Sequence, residues 1–175
     1  HLSDIHINNC EIYNCGYGIF AGGHFIAEEP NSEKHPYNKD ILVENCSIYN
    51  LYDDGFILSD SERITLRNTS IINTCLSNGI YATAPTWTWG VTEALIENCE
   101  IAGAKNIKDG MAVDFDDHTD NSMYQYIYSH DNVRFMWNCP YIEDHFNNTV
   151  RYCLSVNDNI TSTLSRIFKK DIFSK

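Results

Sequence analysis

The sequence of 175 residues is poor in basic side chains and contains no long apolar run. Twelve Lys and Arg stand against 24 Asp and Glu, which gives a formal net charge of −12 and a sequence pI near 4.8. This excess of negative charge disfavours nucleic acid and anionic membrane surfaces as partners. No apolar stretch approaches the roughly 20 residues that span a bilayer, so we expect no membrane insertion.

The sequence also lacks a metal-binding cysteine pattern and a helical period. Its seven Cys form no CxxC pair, and no segment of ten or more residues shows a clean 3.6-residue period. Cys10, Cys46 and Cys99 occur in closely similar sequence contexts, which argues against a secreted disulfide framework. Hydrophobic residues make up 43% of the chain, which indicates a folded domain.

The sequence contains one eight-residue motif that occurs in several copies. VENCSIYN at 43–50, IENCEIAG at 96–103 and INNCEIYN at 7–14 match closely, and LRNTSIIN at 66–73 is a looser copy. In each copy an Asn stands two residues after the leading aliphatic residue. These Asn residues form one column, at intervals of 36, 23 and 30 residues: Asn9, Asn45, Asn68 and Asn98. A variable period of this size is typical of a solenoid whose insertions lie in loops.

The copies predict short β-strands that stack in parallel. DILVEN and RITLRN alternate apolar and polar residues between Asn, Asp and Gly turn signals. One copy cannot bury its own apolar side, but stacked copies can. Parallel strands lie about 4.8 Å apart, so each residue lies over its counterpart. We therefore expect the Asn column to form a ladder of side-chain amides at a bend with left-handed backbone.

Two further columns follow from the same alignment. Beside the Asn column lies a column of small residues: Cys10, Cys46, Thr69 and Cys99. We expect the thiols of the three cysteines to be buried and reduced. After each copy comes a Gly-led block that we predict to be a second strand: Gly18-Ile19-Phe20, Gly55-Phe56-Ile57, Gly79-Ile80-Tyr81 and Gly110-Met111-Ala112.

These columns, which run from about Leu2 to Asn159, resemble those of right-handed parallel β-helix proteins of the pectate-lyase-like group. YQYIYSHDNVRFMWNC at 124–139 and TVRYCLSVND at 149–158 are similar to a narrower set, secreted bacterial β-helix proteins associated with polysaccharide breakdown. Those proteins often carry Asn in place of Ile127, and glycines in place of Val133 and Arg134. The resemblance implies a secreted, periplasmic or cell-surface protein that binds polysaccharide on its outer strand face.

The repeats and the resemblance together predict an all-β fold, a right-handed parallel β-helix solenoid of about six coils. We expect residues 1–160 to form the helix domain and residues 161–175 to form a C-terminal tail or a truncated coil. Neither end supplies an amphipathic helix that could cap the exposed strand edges. We therefore expect self-association, or a neighbouring segment of a longer helix, at an open end.

The densest acidic stretch, VDFDDHTD at 113–120, is the first candidate site. In an extended strand, Asp114 and Asp116 project from one face, about 6.6 Å apart at the backbone. That separation is close to the roughly 6.5–9.5 Å between the carboxyls of an inverting glycosidase. A like-charged neighbour also raises one pKa, as a general acid requires. The alternatives are calcium bound by Asp116 and Asp117, or a solvated acidic loop.

A second candidate is the turn around His130 and Asp131, because His can act as a general base near neutral pH. The alternative is a structural turn. For sugar contacts, which favour aromatic rings, we predict a set of substrate-binding residues: Tyr81, Trp87, Trp89, Arg134 and Asn138. We interpret APTWTWG at 84–90 as a loop, either beside the outer face or folded back over the side of the helix.

The same alignment makes two further predictions about aspartates. Asp114 is expected to lie between Thr83 in the preceding coil and Asn138 in the following one. Asp54 and Asp109 precede column glycines and are predicted to be turn formers. Asp53-Asp54-Gly55 invites comparison with polygalacturonases, but the two partner motifs of those enzymes do not stand at the corresponding places.

Two classes of function remain open from the sequence. One is a carbohydrate-active enzyme, a glycoside hydrolase first and a polysaccharide lyase second. The other is a non-catalytic β-helix module that binds glycan or serves as a rigid spacer. A lyase needs basic residues at the groove, and only Arg134 is expected near it. A hydrolase of this kind requires no cofactor, and Ca²⁺ is the one candidate ion.

Overall fold

The computed structural model describes residues 2–22, 38–77, 82–138 and 147–159, and all regular structure in these ranges is β-strand. The tail predicted at 161–175 and the block Gly79-Ile80-Tyr81 lie outside the described residues. The strands follow one another as β1 (Ser3–Asn8), β2 (Glu11–Tyr13), β3 (Ile19–Ala21), β4 (Asn38–Glu44), β5 (Ser47–Tyr49), β6 (Phe56–Arg67), β7 (Ser70–Ile72), β8 (Thr86–Glu97), β9 (Glu100–Ala102), β10 (Met111–Phe115), β11 (Met123–Gln125), β12 (Tyr128–His130), β13 (Arg134–Asn138), β14 (Thr149–Arg151) and β15 (Leu154–Val156).

All strand pairs in the described ranges are parallel, and the strands form two sheets. The larger sheet has nine strands and follows the path β1-β4-β6-β8-β10-β13, with β3 paired to β6 and β11 paired to both β8 and β14. The smaller sheet has six strands in the order β15-β12-β9-β7-β5-β2. The predicted all-β, parallel architecture is confirmed.

The backbone is left-handed at three positions in every repeat, spaced five residues apart. The φ angle lies between 50° and 75° at all of them. Most of these residues are Asn or Asp, which adopt this conformation more readily than other non-glycine residues. The six sets are Asp4/Asn9/Asn14, Asp40/Asn45/Asn50, Arg63/Asn68/Asn73, Glu93/Asn98/Gly103, Asn121/Tyr126/Asp131 and Asn147/Tyr152/Asn157. The predicted left-handed bend at the Asn column is confirmed.

Between the bends, apolar side chains stack in register to form the core. One column runs through the larger sheet as Ile7, Val43, Leu66, Ile96, Tyr124 and Val150. Its inner members are fully buried, whereas the first and last are only partly buried. In the smaller sheet, an Ile column gives way to Ser129 and Ser155, whose hydroxyls both donate to Asp158 Oδ2. The interior is therefore apolar in the early repeats and partly polar in the last two.

The predicted Asn ladder is present over part of its length. Asn68 Nδ2 donates to Asn45 Oδ1 across 3.4 Å. One repeat earlier, Asn45 Nδ2 donates to Asn8 Oδ1 at 3.0 Å instead of to Asn9. A second ladder, at the next bend, joins Asn73 to Asn50. At the remaining bend, Asn147 Nδ2 donates to Asn121 Oδ1 at 3.1 Å, so side-chain amides connect neighbouring repeats at three bends.

The column of small residues is buried in the middle of the structure and exposed at its start. Cys46 and Cys99 are buried, and their thiols donate to the carbonyl oxygens of Glu44 and Glu97. Cys10 is exposed, because no described repeat precedes it, and the prediction that it is buried is wrong. All three cysteines are free thiols, as predicted.

The predicted alignment of the third repeat with the second is wrong. The sequence alignment matches Gly79 to Gly55, but the backbone N–H of Phe56 donates to the carbonyl oxygen of Pro85, and Phe56 pairs with Thr86. A Cβ atom on Gly55 would lie 2.7 Å from that Pro85 oxygen. Residue 55 is therefore a glycine because the backbone of the next repeat comes too close for a side chain. The residue that pairs at the equivalent position of that next repeat does not have to be a glycine. As a result, APTWTWG is not a loop, and its two Trp lie in β8.

The strands at the two ends of the described structure pair on one side only. β1 and β2 form one end, and β14 and β15 form the other. Large apolar side chains are exposed there, including Leu2 at 56% and Tyr152 at 69%. Unpaired edges of this kind favour association with another strand. Self-association, or a neighbouring segment at an open end, stays a prediction.

Substitution of Asn68 tests the left-handed bend and the amide ladder separately. Asn68→Ala keeps the Cβ at φ 50° but removes the amide that makes Asn tolerant of this conformation, so we expect a loss of about 1–2 kcal/mol in unfolding free energy. Asn68→Gly removes the amide together with the Cβ, which relieves the left-handed backbone, and should cost less. Ser70→Ala is the matched control, because Ser70 lies two residues farther along the chain in the extended backbone of β7. Urea denaturation measures all three, and equal stability of the Ala and Gly variants would contradict the account.

Candidate functional site

Five strands of the larger sheet place one outward-facing residue each in a single column. The neighbours of these residues along the strands, such as Leu58 and Phe115, point into the core and are buried. The register of β3, β6, β8, β10 and β13 defines the members of this outer column: Phe20, Ile57, Trp87, Asp114 and Trp137.

Asp114 is flanked in the outer column by Trp87 and Trp137, and the prediction that Thr83 and Asn138 flank it is wrong. Thr83 precedes β8, where its hydroxyl accepts a hydrogen bond from the amide of Asn106. Asn138 lies in β13 opposite Phe115, one position farther along. The prediction failed at Thr83 because the third repeat enters its strand at Thr86, and at Asn138 because β13 pairs with β10 one residue away from the predicted register.

The Asp114 side chain is covered although it belongs to the outer column. The residue is 7% exposed, and its Oδ1 atom has no hydrogen-bond partner among the described residues. Burial, followed by the negative charges of Asp116, Asp109 and Asp117, raises the pKa of Asp114 to about 8. The carboxyl is therefore largely neutral at pH 7, and its burial costs much less than burial of a charge.

The backbone of Asp114 is held from inside the protein. Its carbonyl oxygen accepts a hydrogen bond of 2.8 Å from the hydroxyl of Tyr124, and the hydroxyl of Thr88 also donates to it, at 3.4 Å. Tyr124 is fully buried, and its ring stacks on Phe115 with the centroids 4.1 Å apart. The scaffold therefore fixes the position from which the Asp114 side chain projects.

Asp116 comes directly after β10 and runs alongside β8. Its backbone N–H donates to the carbonyl oxygen of Thr88 at 2.9 Å, which places it beside the part of β8 that carries Trp89. Asp114 lies beside Trp87 in the same way. Two Trp and two Asp, each pair two residues apart, thus occupy adjacent segments. We call these four residues the Trp–Asp block: Trp87, Trp89, Asp114 and Asp116.

Asp54 is a residue of this surface that the sequence did not reveal. Its Oδ1 atom accepts hydrogen bonds from the backbone N–H of Ala84 at 2.8 Å and from Nε1 of Trp87 at 2.9 Å. The residue is 5% exposed, and burial raises the pKa of its carboxyl to about 6. The sequence interpretation made Asp54 a turn former only. The correct alignment of β8 is the one signal that could have indicated its contact with Trp87.

Arg134 lies at the β13 side of the outer column. Its guanidinium carbon is 5.6 Å from the centre of the Trp137 ring, a cation–π contact. Its Nη1 atom donates to the carbonyl oxygens of Lys108 and Asp109, both at 2.8 Å. Arg134 is thus near the site, as predicted, where it also holds the turn before β10.

His130 and Asp131 are not part of the Trp–Asp block. His130 belongs to β12 in the smaller sheet, whereas Asp114 belongs to the larger sheet. Its Nδ1 atom lies 2.8 Å from Asp131 Oδ2, and its Nε2 atom lies 3.0 Å from Glu100 Oε1. Hydrogen bonds to these two carboxylates raise the pKa of His130. Both ring nitrogens are therefore engaged in an ion-pair cluster on another face, and the roles predicted for these residues stay predictions.

Two other predicted features gain no support from the geometry. Tyr81 lies outside the described residues. Among the described residues, no group of three or more His, Cys, Asp or Glu side chains is arranged to hold a metal ion. Calcium at Asp116 and Asp117 stays a prediction.

A groove of the described surface lies elsewhere, along the Asn bends between the two sheets. It is shallow, encloses about 560 Å³, and is lined mainly by Asn, Ser and Glu side chains: Asn45, Asn68, Asn98, Ser47, Ser70 and Glu100. No aromatic side chain lines it. The chemistry that the sequence predicts is concentrated at the Trp–Asp block instead.

Comparison with known proteins adds no assignment. No protein-family model matches the chain, and no curated protein matches it. Within the described ranges, no helix is long and apolar enough to cross a membrane. The function must therefore be argued from the site.

The raised pKa of Asp114 predicts how stability depends on pH. Between about pH 4 and pH 8, the folded chain keeps a proton on Asp114 that the unfolded chain releases. The free energy of unfolding should therefore fall as pH rises through this range, by at most about 1.4 kcal/mol per pH unit for this group. Asp114→Asn removes the titration, so the variant should lose less stability than the parent.

Urea denaturation at about pH 5 and about pH 8 measures this difference. Glu93→Gln, which removes an exposed carboxyl, should follow the parent and serves as the control. If Asp114→Asn and the parent lose the same stability over this range, Asp114 does not carry the proton.

Proposed function

We propose that this chain is a right-handed parallel β-helix in which each repeat is one coil. Three observations support the proposal: the parallel register, the six sets of left-handed bends, and the stacked core columns. Each repeat passes from the larger sheet to the smaller one, as β4 passes to β5 and β6 to β7. Parallel connections within a sheet are right-handed in nearly all proteins, which supports the hand.

We infer that the outer face of the larger sheet binds polysaccharide. The observation that carries this inference is the Trp–Asp block, which pairs two indoles with two carboxyls on adjacent segments. Indole rings pack against the C–H faces of sugars, and carboxyls bond sugar hydroxyls. Phe20 and Trp137, 51% and 41% exposed, extend the aromatic surface on both sides. The five strands of the outer column span about 19 Å at the usual spacing, which suits an oligosaccharide.

In this proposal the protein is a glycoside hydrolase with Asp114 as general acid and Asp116 as general base. Asp114 is protonated near neutral pH, as a general acid requires, and its buried Oδ1 atom would have to be uncovered before the proton could pass to the glycosidic oxygen. The Asp116 carboxylate would remove a proton from the water that attacks the anomeric carbon. The C–O bond then breaks, the leaving sugar takes the proton, and the configuration inverts. No cofactor takes part.

Non-catalytic glycan binding is the second candidate, and the 7% exposure of Asp114 favours it. In that case Trp87 and Trp89 contact the glycan while Asp114 fills the gap between two indoles. A polysaccharide lyase has less support, because Nη1 of Arg134 already binds two backbone carbonyls. For both candidate functions we propose that the protein is located outside the cytoplasm, where it can encounter polysaccharides.

Hydrolysis of a polysaccharide panel tests the proposal. The panel contains xylan, mannan, β-glucan, arabinan and polygalacturonate, and the assay measures new reducing ends. Asp114→Asn and Asp116→Asn should each lower kcat by at least about 100-fold, the usual contribution of general acid–base catalysis. The affinity for the polysaccharide should be unchanged. Asp117→Asn, beside the block, is the matched control and should stay active.

The outcomes separate the two candidates. Binding without cleavage by the parent protein supports the non-catalytic function. Cleavage that survives Asp114→Asn shows that the catalytic assignment is wrong. If the parent neither binds nor cleaves any member of the panel, the glycan-directed function itself is wrong for these polymers.

A further inference from the structure

The buried carboxylate of Asp54 is hydrogen bonded to the indole of the Trp–Asp block. Asp54 Oδ1 accepts from Trp87 Nε1 at 2.9 Å and from the Ala84 backbone N–H at 2.8 Å. Ala84 immediately precedes the turn into β8, and Trp87 is the second residue of that strand. One oxygen atom therefore joins the entry of β8 to the side chain that β8 presents on the outer column.

The position of Asp54 is itself fixed by the preceding repeat. Its carbonyl oxygen accepts a hydrogen bond of 3.0 Å from the backbone N–H of Gly18. A Cβ atom on Gly18 would lie 2.2 Å from the carbonyl oxygen of Gly55, so the two chain segments are in close contact. Asp54 is thus bound through its backbone to one repeat and through its carboxylate to the next. Asp54 therefore cannot move with Trp87 if the indole ring rotates away from it.

We propose that Asp54 is a positioning residue that holds the Trp87 indole at the angle required for sugar binding. This inference rests on the proposed function, because it assigns the held indole to the glycan surface. Trp87 lies between Ile57 and Asp114 in the outer column. Rotation of its ring would change both the aromatic surface and the cover over Asp114. Asp54 would act through Trp87 without touching the glycan.

The strength of this contact should depend on pH. A hydrogen bond from an N–H group to a carboxylate is stronger than one to a neutral carboxyl. Burial raises the pKa of Asp54 to about 6, although the hydrogen bonds from Ala84 and Trp87 act in the opposite direction. The indole should therefore be held more firmly above pH 6 than below it. The other titratable groups about this contact are Asp53 on the same turn, Cys75 after β7 and Asp114 in β10.

Fluorescence of Trp87 tests the positioning without any glycan. The chain has three Trp, so replacing Trp89 and Trp137 by Phe leaves Trp87 as the only indole. In this background we expect the emission to titrate with a midpoint near pH 6, and we expect Asp54→Asn to abolish that transition. Asp53→Asn is the matched control and should keep it. Acrylamide quenching of Trp87 at pH 7.5 should increase at least about twofold in Asp54→Ala.

Two results would overturn the positioning role. One is a transition near pH 6 that persists in Asp54→Asn, which would assign the titration to another group. The other is unchanged quenching in a folded Asp54→Ala variant. If Asp54→Ala does not fold, as judged by circular dichroism, the isosteric Asp54→Asn variant decides the question through the pH titration.

A second measurement uses the panel polysaccharide that the parent binds most tightly. Asp54→Asn should raise KM or Kd by about threefold to tenfold and leave kcat unchanged, whereas Asp114→Asn should lower kcat. Equal KM in parent and Asp54→Asn would contradict the inference even if the fluorescence changes. If the fluorescence changes as expected but the parent binds no polysaccharide, Asp54 positions Trp87 and the proposed function is wrong.

Discussion

Parallel register between successive repeats is the constraint on which the rest of this structure depends. Each described strand pairs in parallel, so each side chain lies about 4.8 Å from its counterpart in the next repeat. This register can continue only if every repeat bends at the same places. Left-handed residues, most of them Asn or Asp, provide those bends, and amide hydrogen bonds such as Asn68 to Asn45 connect them. Core columns, exposed columns and cysteine positions all follow from this arrangement.

The same register creates the chemical character of the outer column. It puts a carboxyl between two indoles, where Trp87 and Trp137 flank Asp114. Tyr124 and Thr88 hold the Asp114 backbone from within, and the residue is only 7% exposed. Desolvation then favours the neutral carboxyl. The strand register alone therefore places a protonated carboxyl beside two aromatic rings.

Much of the fold could be predicted from the sequence, and the site only in part. Alternation in segments such as DILVEN, together with the Asn column, was enough to predict parallel strands and left-handed bends. The register of the third repeat was not predictable, because Gly79 matched the pattern while the strand begins at Thr86. The contact of Asp54 with Trp87 and the burial of Asp114 depend on that register. The separation of His130 from Asp114 depends on which sheet each strand joins, which local sequence does not encode.

We propose that the Trp–Asp block is the glycan surface, and the indole N–H signals of the protein test this proposal most directly. The three Trp give three indole signals in a nitrogen-15 correlation spectrum, which single Trp→Phe variants assign. On titration with oligosaccharides from a polysaccharide that the protein binds, the signals of Trp87 and Trp89 should shift together with one dissociation constant. Saturable binding that leaves both signals in place would contradict the account.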